Sequence, residues 1–406
     1  MPNRNARSRA LGPLAEFVAS QSGAAVILFV AATLAILLAN SIYASDYFHF
    51  WELHLPWDSE DGLLQKPLHF WVNDGLMAVF FLLVGLEIKR ELAIGELSNL
   101  RVAMLPVLAA IGGMVVPAGI YLSMNPNWPE RSGWGIPMAT DIAFSLGVLS
   151  LMGKSIPTAL KVFLTAFAII DDIGAVIVIA FFYTSKLNVL PLLGSTMAVL
   201  ALAAFSIGKI RSLWPYLLVG ALLWYGFYRS GIHTTIAGVV TALFIPTLTG
   251  QRGTESESKS PAVQLEHWLE KPIALWVIPL FGFANAGVEL GSGGGIDQRV
   301  SLGVLVGLVL GKPAGIFLLS WLGCRMKLVA LPDGVTWRQL LGVGILGGIG
   351  FTMSLFITDL AFAEASFRSA AKIGILVATG VAAVVGALVL LPRSASSKPK
   401  ARASRP

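Results

Sequence analysis

Long apolar stretches, twelve in number and each about as long as a membrane-spanning helix, fill most of this chain of 406 residues. A helix needs about 20 apolar residues to cross the hydrocarbon core of a bilayer. Charged residues make up only 13% of the chain, whereas a soluble domain carries roughly 25%. The sequence therefore predicts an all-α polytopic membrane protein with about 12 transmembrane helices in a lipid bilayer. The predicted spans are 23–42, 69–88, 103–122, 135–152, 160–183, 190–208, 213–230, 233–249, 272–290, 301–323, 340–360 and 371–391.

The distribution of basic residues predicts how the spans are oriented. Roughly three quarters of the 29 Lys and Arg residues fall in the tails and in the loops on the same side as the N-terminus. Basic loops stay in the cytoplasm, so both termini are predicted to be cytoplasmic. We predict a cytoplasmic tail at 1–16, one membrane domain at 17–392 and a basic, disordered cytoplasmic tail at 393–406. The net charge of +6 follows from this topology and gives no reason to expect a nucleic-acid partner.

Two adjacent carboxylates, Asp171 and Asp172, fall near the middle of the fifth predicted span. A carboxylate at this depth costs roughly 2.5–3.5 kcal/mol on insertion scales, so it needs a function or a partner. Successive helical residues point about 100° apart. We therefore expect one carboxylate to face a cavity and the other to face a neighbouring helix. The alternative is a structural pair that only joins helices.

Other charges inside predicted spans are Asp74, Glu87, Asp141, Lys312 and Asp359. Asp141 follows Thr140 and a stretch with Pro137 and several glycines, which weakens the helix. Irregular backbone at membrane depth is tolerated where it is buried in protein or lines a wet cavity. Lys312 is the one base in mid-span and needs an acidic partner or must lose its proton. The alternatives are a helix N-cap near the surface for Asp141 and a side chain reaching the interface for Lys312. The span of Lys312 also carries glycines four residues apart, which predicts close approach of another helix, at Gly303, Gly307, Gly311 and Gly315.

A second span, at 340–360, is rich in glycine and is predicted to be interrupted like the span at 135–152. Short identities relate the two segments at an offset of 209 residues, as in Ser145 and Ser354. Spans four and eleven would cross in opposite directions. The pattern favours inverted-topology repeats whose two discontinuous helices cross near mid-membrane.

Buried carboxylates beside broken helices suit a small hard cation such as Na⁺ or Li⁺, which prefers oxygen ligands. Burial favours the neutral form of a carboxyl group, so protons and the cation would compete for the same oxygens. If access alternates between the two faces, this competition alone gives exchange. We expect no enzyme activity and no cofactor, and Na⁺, Li⁺ and H⁺ are the predicted substrates.

Several motifs resemble bacterial Na⁺/H⁺ antiporters of the NhaA family, over about residues 10–392. They are Val72–Phe81, Glu87–Leu92, Met138–Phe144, Ala168–Ile173, Pro279–Gly287 and Gly311–Pro313. The resemblance implies electrogenic exchange of cytoplasmic Na⁺ for external H⁺, activated at alkaline pH, in the bacterial inner membrane. It also implies a homodimer joined by a β-hairpin between the first two spans. The alternation of Phe48, Phe50, Glu52 and His54 makes a strand possible there.

The same resemblance implies residue roles. Asp172 is the main ion and proton carboxylate, and Asp171 is its partner, which pairs with Lys312 when sodium is absent. Asp141 and Lys312 compensate the charged ends of the broken helices, and Thr140 assists binding. The pH response maps to the cytoplasmic mouth, at Glu87, Arg90, Glu91 and Glu266. The alternative for this last group is an ordinary solvated helix end.

Three other functions fit a membrane protein with buried acids. An intramembrane aspartyl protease would carry its two acids on separate helices, with a Gly-x-Gly-Asp motif that is not found here. A cation channel would favour rings of charge and symmetric repetition. An exchanger of a different substrate, for instance an organic anion, would keep the broken helices.

Overall fold

The structure is a computed structural model that describes residues 20–54, 65–153, 156–184, 187–247, 260–290 and 297–391, except for the side chains of Glu96, Leu100 and Arg101. This part of the chain is helical and contains no strand, which confirms the predicted all-α class. The helices are α1 Gln21–Ala39, α2 Ala44–Glu52, α3 Leu68–Ala93, α4 Leu100–Met124, α5 Ile142–Leu151, α6 Thr158–Phe182, α7 Val189–Ile207, α8 Trp214–Ser230, α9 Ile236–Phe244, α10 Pro261–Pro272, α11 Ile278–Asn285, α12 Gln298–Arg325, α13 Trp337–Gly347, α14 Phe351–Ala361 and α15 Ala365–Leu390. A 3₁₀ helix, Glu130–Met138, precedes α5.

Seven helices among the described residues are long and apolar enough to cross a membrane, or up to nine if each of two bent pairs is one span. Helices α8 and α9 are shorter than the predicted spans over the same residues, with 17 and 9 residues. The predicted span 272–290 corresponds to α11 and the π-helical turn Ile273–Val277 that joins it to α10. By length and composition, several helices can therefore span a membrane, and the predicted span limits agree with the long helices to within about six residues.

Residues 44–52 form helix α2, so the strand considered for Phe48, Phe50 and Glu52 is wrong. Tyr47 and Trp51, four residues apart, pack on one helical face against Phe283, with ring centroids 5.6 and 5.8 Å away. The Tyr47 hydroxyl also donates to the Phe283 carbonyl at 2.6 Å. Burying this pair on one face requires a helical period. The rest of the predicted hairpin, 55–64, lies outside the described residues, and His54 makes an isolated antiparallel bridge with Pro67.

The two predicted interruptions are present. The 3₁₀ helix and α5 are bent by 41° across residues 139–141, and α13 and α14 are bent by 43° across residues 348–350. The two breaks contact each other. Asp141 N donates to the Ile349 carbonyl at 2.7 Å, and Thr140 Oγ1 donates to the Gly347 carbonyl at 2.8 Å. The amide of Asp141 and the carbonyls of Gly347 and Ile349, which a continuous helix would bond internally, are thus satisfied by contacts between the breaks.

The glycines of α12 allow the close helix packing that their spacing predicts. A Cβ at Gly307, Gly311 or Gly315 would meet backbone or side-chain atoms of α4. The residue met at Gly315 is itself a glycine, Gly112. The contact places Lys312 in a fully buried position beside the first break.

Candidate functional site

One cavity of about 710 Å³ extends from the molecular surface to the region of the breaks. Its lining includes exposed residues at the mouth, among them Gln21, His267 and Glu270. Buried Asp172 and Asp141 line it as well. The cavity therefore gives water and small ions a route from one end of the molecule to the carboxylates.

Asp172 is a buried carboxylate that faces this cavity. Its residue is only 2% exposed. Among the described residues, no side chain or backbone group makes a hydrogen bond or an ion pair with it. A buried charge without a partner is unfavourable. The cavity is therefore the place from which Asp172 can take a proton or a cation.

Asp171 is paired, in contrast to its neighbour. Its Oδ2 lies 2.8 Å from Lys312 Nζ, and both side chains are almost completely buried. Lys312 Nζ also donates to the Met138 carbonyl at the end of the 3₁₀ helix and lies 5.9 Å from the centroid of the Phe167 ring. Neither Asp171 nor Lys312 is among the residues that line the cavity. The two adjacent carboxylates thus point into different surroundings, as their helical spacing predicts.

Asp141 joins the two breaks through both carboxylate oxygens. Oδ1 accepts from Phe144 N at 2.8 Å, so Asp141 is the N-cap of α5. Oδ2 accepts from Thr352 N at 3.1 Å and from Thr352 Oγ1 at 2.5 Å. The residue is 2% exposed. Asp141 is an N-cap, as the alternative suggested, but it lies inside the protein and beside the cavity.

Thr352 is a site residue that the sequence did not reveal. It contacts Asp141 although it lies 211 positions further along the chain. Nothing in the residues around Thr352 indicates that a hydroxyl is needed there. Thr140 lies at the same crossing and is fully buried, with its hydroxyl bonded to Gly347. Thr140 is not among the residues that line the cavity.

The residues predicted to sense pH lie together at the cavity mouth. Arg90 Nε is 2.9 Å from Glu266 Oε1, and Arg90 Nη1 is 3.0 Å from Glu91 Oε1. Glu87, Arg90 and Glu266 line the cavity. Burial raises the pKa of the Glu266 carboxyl, and the positive charge of Arg90 opposes this rise. The group is more buried than a solvated helix end would be.

Within the described residues, no group of three or more His, Cys, Asp or Glu side chains is arranged to hold a resident metal ion. The cavity lining nevertheless includes oxygen-bearing side chains, on Asp172, Asp141 and Thr352. Such oxygens match the ligand preference of a small hard cation that passes through.

Comparison with known proteins gives consistent matches over nearly the whole chain. The sequence profile of the Na⁺/H⁺ antiporter 1 family matches residues 15–390. The chain is 48% identical over 380 residues to the Na⁺/H⁺ antiporter NhaA of Salmonella arizonae, covering 92% of this chain and 96% of that protein. It is 44% identical over 414 residues to the Na⁺/H⁺ antiporter NhaA of Helicobacter pylori, covering 93% of this chain and 94% of that protein.

Proposed function

Because the chain belongs to the Na⁺/H⁺ antiporter 1 family, we propose that it is a secondary active antiporter that exchanges cytoplasmic Na⁺ or Li⁺ for external H⁺. The observation that carries the proposal is Asp172, a buried carboxylate without a partner among the described residues, at the inner end of a cavity open to one face. A carboxylate in this position takes either a proton or a small cation.

The chemistry is competition for oxygen atoms. Protonated Asp172 carries no charge and has little affinity for a cation, whereas ionised Asp172 attracts one. Asp141 and Thr352 supply further oxygens beside it. The Thr140 hydroxyl donates its hydrogen to Gly347, which leaves its oxygen lone pairs for a cation. When Asp171 leaves Lys312, it also binds the cation. We therefore propose Asp171 and Asp172 as the metal-binding pair.

Alternating access would convert this competition into exchange. We propose twelve spans in the bilayer and two inverted repeats whose broken helices cross near its middle. Two hydrogen bonds between the breaks support the repeats, because Ser145 Oγ donates to Leu346 O and Ser354 Oγ donates to Ile136 O. The two serines are related by the offset of 209 residues, and the two acceptors by nearly the same offset. Asp141 and Lys312 lie at the ends of the broken halves, where their charges oppose the helix dipoles.

We propose that charged residues at the cavity mouth regulate transport in response to pH. Arg90 is shared between Glu266 and Glu91, with Glu87 nearby. Protonation of the acids would release Arg90 and close the mouth, and alkaline pH would restore the pairs. Exchange would be electrogenic, with more protons entering than Na⁺ ions leaving.

The placement of the protein follows from the same proposal. Residues 17–392 would form one transporter domain in the bacterial inner membrane, with the tails 1–16 and 393–406 in the cytoplasm. We further propose a homodimer. Helix α7 supports this, because only 11% of its most apolar segment is buried within the protein, which leaves apolar surface for lipid or for a second copy.

A proton-movement assay in everted membrane vesicles tests the function. Na⁺ and Li⁺, but not K⁺, should each move protons when added between about pH 6.5 and 9, a range chosen to span neutral titrations. In parallel, calorimetry in buffers of different ionisation enthalpy should show that Na⁺ binding to the purified protein releases protons. Sodium binding without proton release at every pH would contradict competition at a shared site.

A further inference from the structure

A second cluster of polar side chains, two of them buried and two partly exposed, lies at a different place in the protein and is not used by the mechanism above. Asn285 Nδ2 donates to Asn73 Oδ1 at 2.8 Å, and Asn73 Nδ2 donates to Asp359 Oδ2 at 2.7 Å. His69 Nε2 lies 3.0 Å from Asn285 Oδ1, 3.3 Å from Asn73 Nδ2 and 3.8 Å from Asp359 Oδ2. The cluster joins three helices, α3, α11 and α14. We call these four residues the far cluster.

The far cluster lies at the opposite end of the molecule from the cavity mouth. His69 and Arg90 both belong to α3, and 21 residues at 1.5 Å each separate them by about 30 Å along the helix. That distance is close to the thickness of the hydrocarbon core. The His69 side chain is 36% exposed and that of Asp359 is 11% exposed, so the cluster is within reach of the aqueous phase at this end.

The same three helices that hold the far cluster also line the cavity. Between the two, each helix contributes a buried phenylalanine, namely Phe81, Phe281 and Phe356. The centroid of Phe356 lies 5.5 Å from that of Phe81 and 6.3 Å from that of Phe281. Each of α3, α11 and α14 therefore carries three features in the same order from the cavity outward. Residues that line the cavity come first, a buried phenylalanine comes next, and a residue of the far cluster comes last. The three rings separate the far cluster from the ion site.

The proton content of His69 changes its attraction to Asp359 on α14. The 3.0 Å contact fits an Nε2–H group that donates to Asn285 Oδ1. When the second ring nitrogen also carries a proton, the ring is positive and attracts Asp359 across 3.8 Å. When the ring is neutral, that attraction is lost, and the hydrogen bond from Asn73 remains as the contact of Asp359 within the far cluster.

Other charges face the far cluster from neighbouring elements. Lys372 and Arg368 on α15 act electrostatically on His69, as does Asp359. Asp74 on α3 is influenced by Asp359 and by Lys66, and its Oδ1 accepts from Thr234 at 2.5 Å. With two acids and three bases already present, a proton on His69 adds a positive charge to a region that is not acidic overall. This proton therefore strengthens the attraction between His69 and Asp359, and it repels an incoming cation.

We propose that His69 is a proton-binding site at the far entrance of the ion path, and that its protonation, through Asp359 and the Asn73–Asn285 bridge, opposes entry of Na⁺ from that face. The inference rests on the proposed antiport and adds a control by protons at the face opposite to the cavity. His69 is a positioning residue in this scheme, since it acts through Asp359.

The test compares the two faces of the full-length protein in right-side-out and everted membrane vesicles. Na⁺ is presented to one face, the pH on that face is varied from about 8 to 5 across the histidine range, and the apparent KM for Na⁺ is measured. In the unaltered protein, KM at the far face should rise more steeply with acid than KM at the cavity face. In His69→Gln, which keeps a hydrogen-bond donor but does not titrate, the extra rise of up to about tenfold should disappear. The dependence at the cavity face should stay as it was.

A matched control uses the same substitution at an exposed histidine near the same end, His49→Gln, which should retain the steep far-face dependence. If His69→Gln does not fold, Asp359→Asn should flatten the far-face profile in the same way. If His69→Gln is active and its KM for Na⁺ at the far face depends on pH as in the unaltered protein, the inference is wrong while the proposed function stands. Absence of Na⁺-dependent proton movement from both faces of the unaltered protein would instead contradict the proposed function, and the inference with it.

Discussion

Asp171 and Asp172 are neighbours in the sequence, yet they lie in two regions with opposite properties. Asp172 faces a cavity of about 710 Å³ and has no hydrogen bond or ion pair within the described part of the chain. Asp171 lies in the buried contact between α6 and α12, where Lys312 binds it at 2.8 Å. The difference shows that the surroundings, and not the residue type, determine what a buried carboxylate does. Asp172 is free to exchange ligands in this structure, whereas Asp171 must first leave Lys312 to do so.

The largest expected effect comes from removing the charge on the cavity side. Asp172→Asn should abolish Na⁺-dependent proton movement in everted vesicles, because a neutral amide neither exchanges a proton nor attracts the cation. The melting temperature in detergent should not fall, since no partner loses a bond. The exposed Asp46→Asn is the control and should transport normally. Exchange at the unaltered rate in Asp172→Asn would show that the cavity carboxylate is not the ion site.

The second-largest effect is a loss of stability at the pair of Asp171 and Lys312. Lys312→Met leaves Asp171 as an unpaired buried charge, and breaking such a pair destabilises a protein by about 3–5 kcal/mol. Thermal melting should show the loss, and the double variant Lys312→Met with Asp171→Leu should recover most of it, because no charge is left buried. The exposed Lys271→Met should melt normally. Unchanged stability in Lys312→Met would mean that the Asp171 pair contributes nothing to the fold.

A smaller effect is expected at the junction of the two regions. Thr352→Val removes the hydroxyl that donates to Asp141 Oδ2 at 2.5 Å, and a hydrogen bond to a charged group contributes about 1.5–3 kcal/mol. We expect a loss of stability in this range and a higher KM for Na⁺. Thr196→Val, on the exposed face of α7, is the matched control. A variant that keeps both stability and KM would remove Thr352 from the site.

The smallest effect concerns the cavity mouth and its dependence on pH. Burial raises the pKa of Glu266 in the folded protein above its ordinary value. The folded state therefore binds the proton more tightly than the unfolded state does, and the resulting stability is lost as the pH rises through the raised pKa. The melting temperature of the unaltered protein should fall relative to that of Glu266→Gln as the pH rises through this window. Glu364→Gln, exposed at the other end, should show no such trend, and a trend of opposite sign would contradict the raised pKa.

Much of this organisation follows from local sequence. The long helices lie within a few residues of the predicted spans, because apolar length is a local property that the bilayer requires. The breaks at 139–141 and 348–350 lie where glycine and proline weaken the helix. The divergence of Asp171 and Asp172 follows from helical geometry alone.

Other features depended on contacts between distant residues. The sequence left open a strand over Phe48, Phe50, Glu52 and His54, because their alternation was visible. The packing of Tyr47 and Trp51 against Phe283, which requires a helix there, was not visible. The sequence indicated that Lys312 needs an acidic partner or must lose its proton, and the resemblance to known antiporters pointed to Asp171. The bond of Asp141 to Thr352, however, joins residues 211 positions apart.

By itself, the sequence determined that this chain is a helical membrane protein with charges at depth, since the insertion of each segment depends on its own composition. Only the tertiary structure decided which of these charges is paired, which one faces water and which polar groups meet at the far end. Those outcomes depend on the electrostatics and hydrogen bonding of side chains brought together from separate helices. The sequence of a single helix does not identify the residues that it will contact.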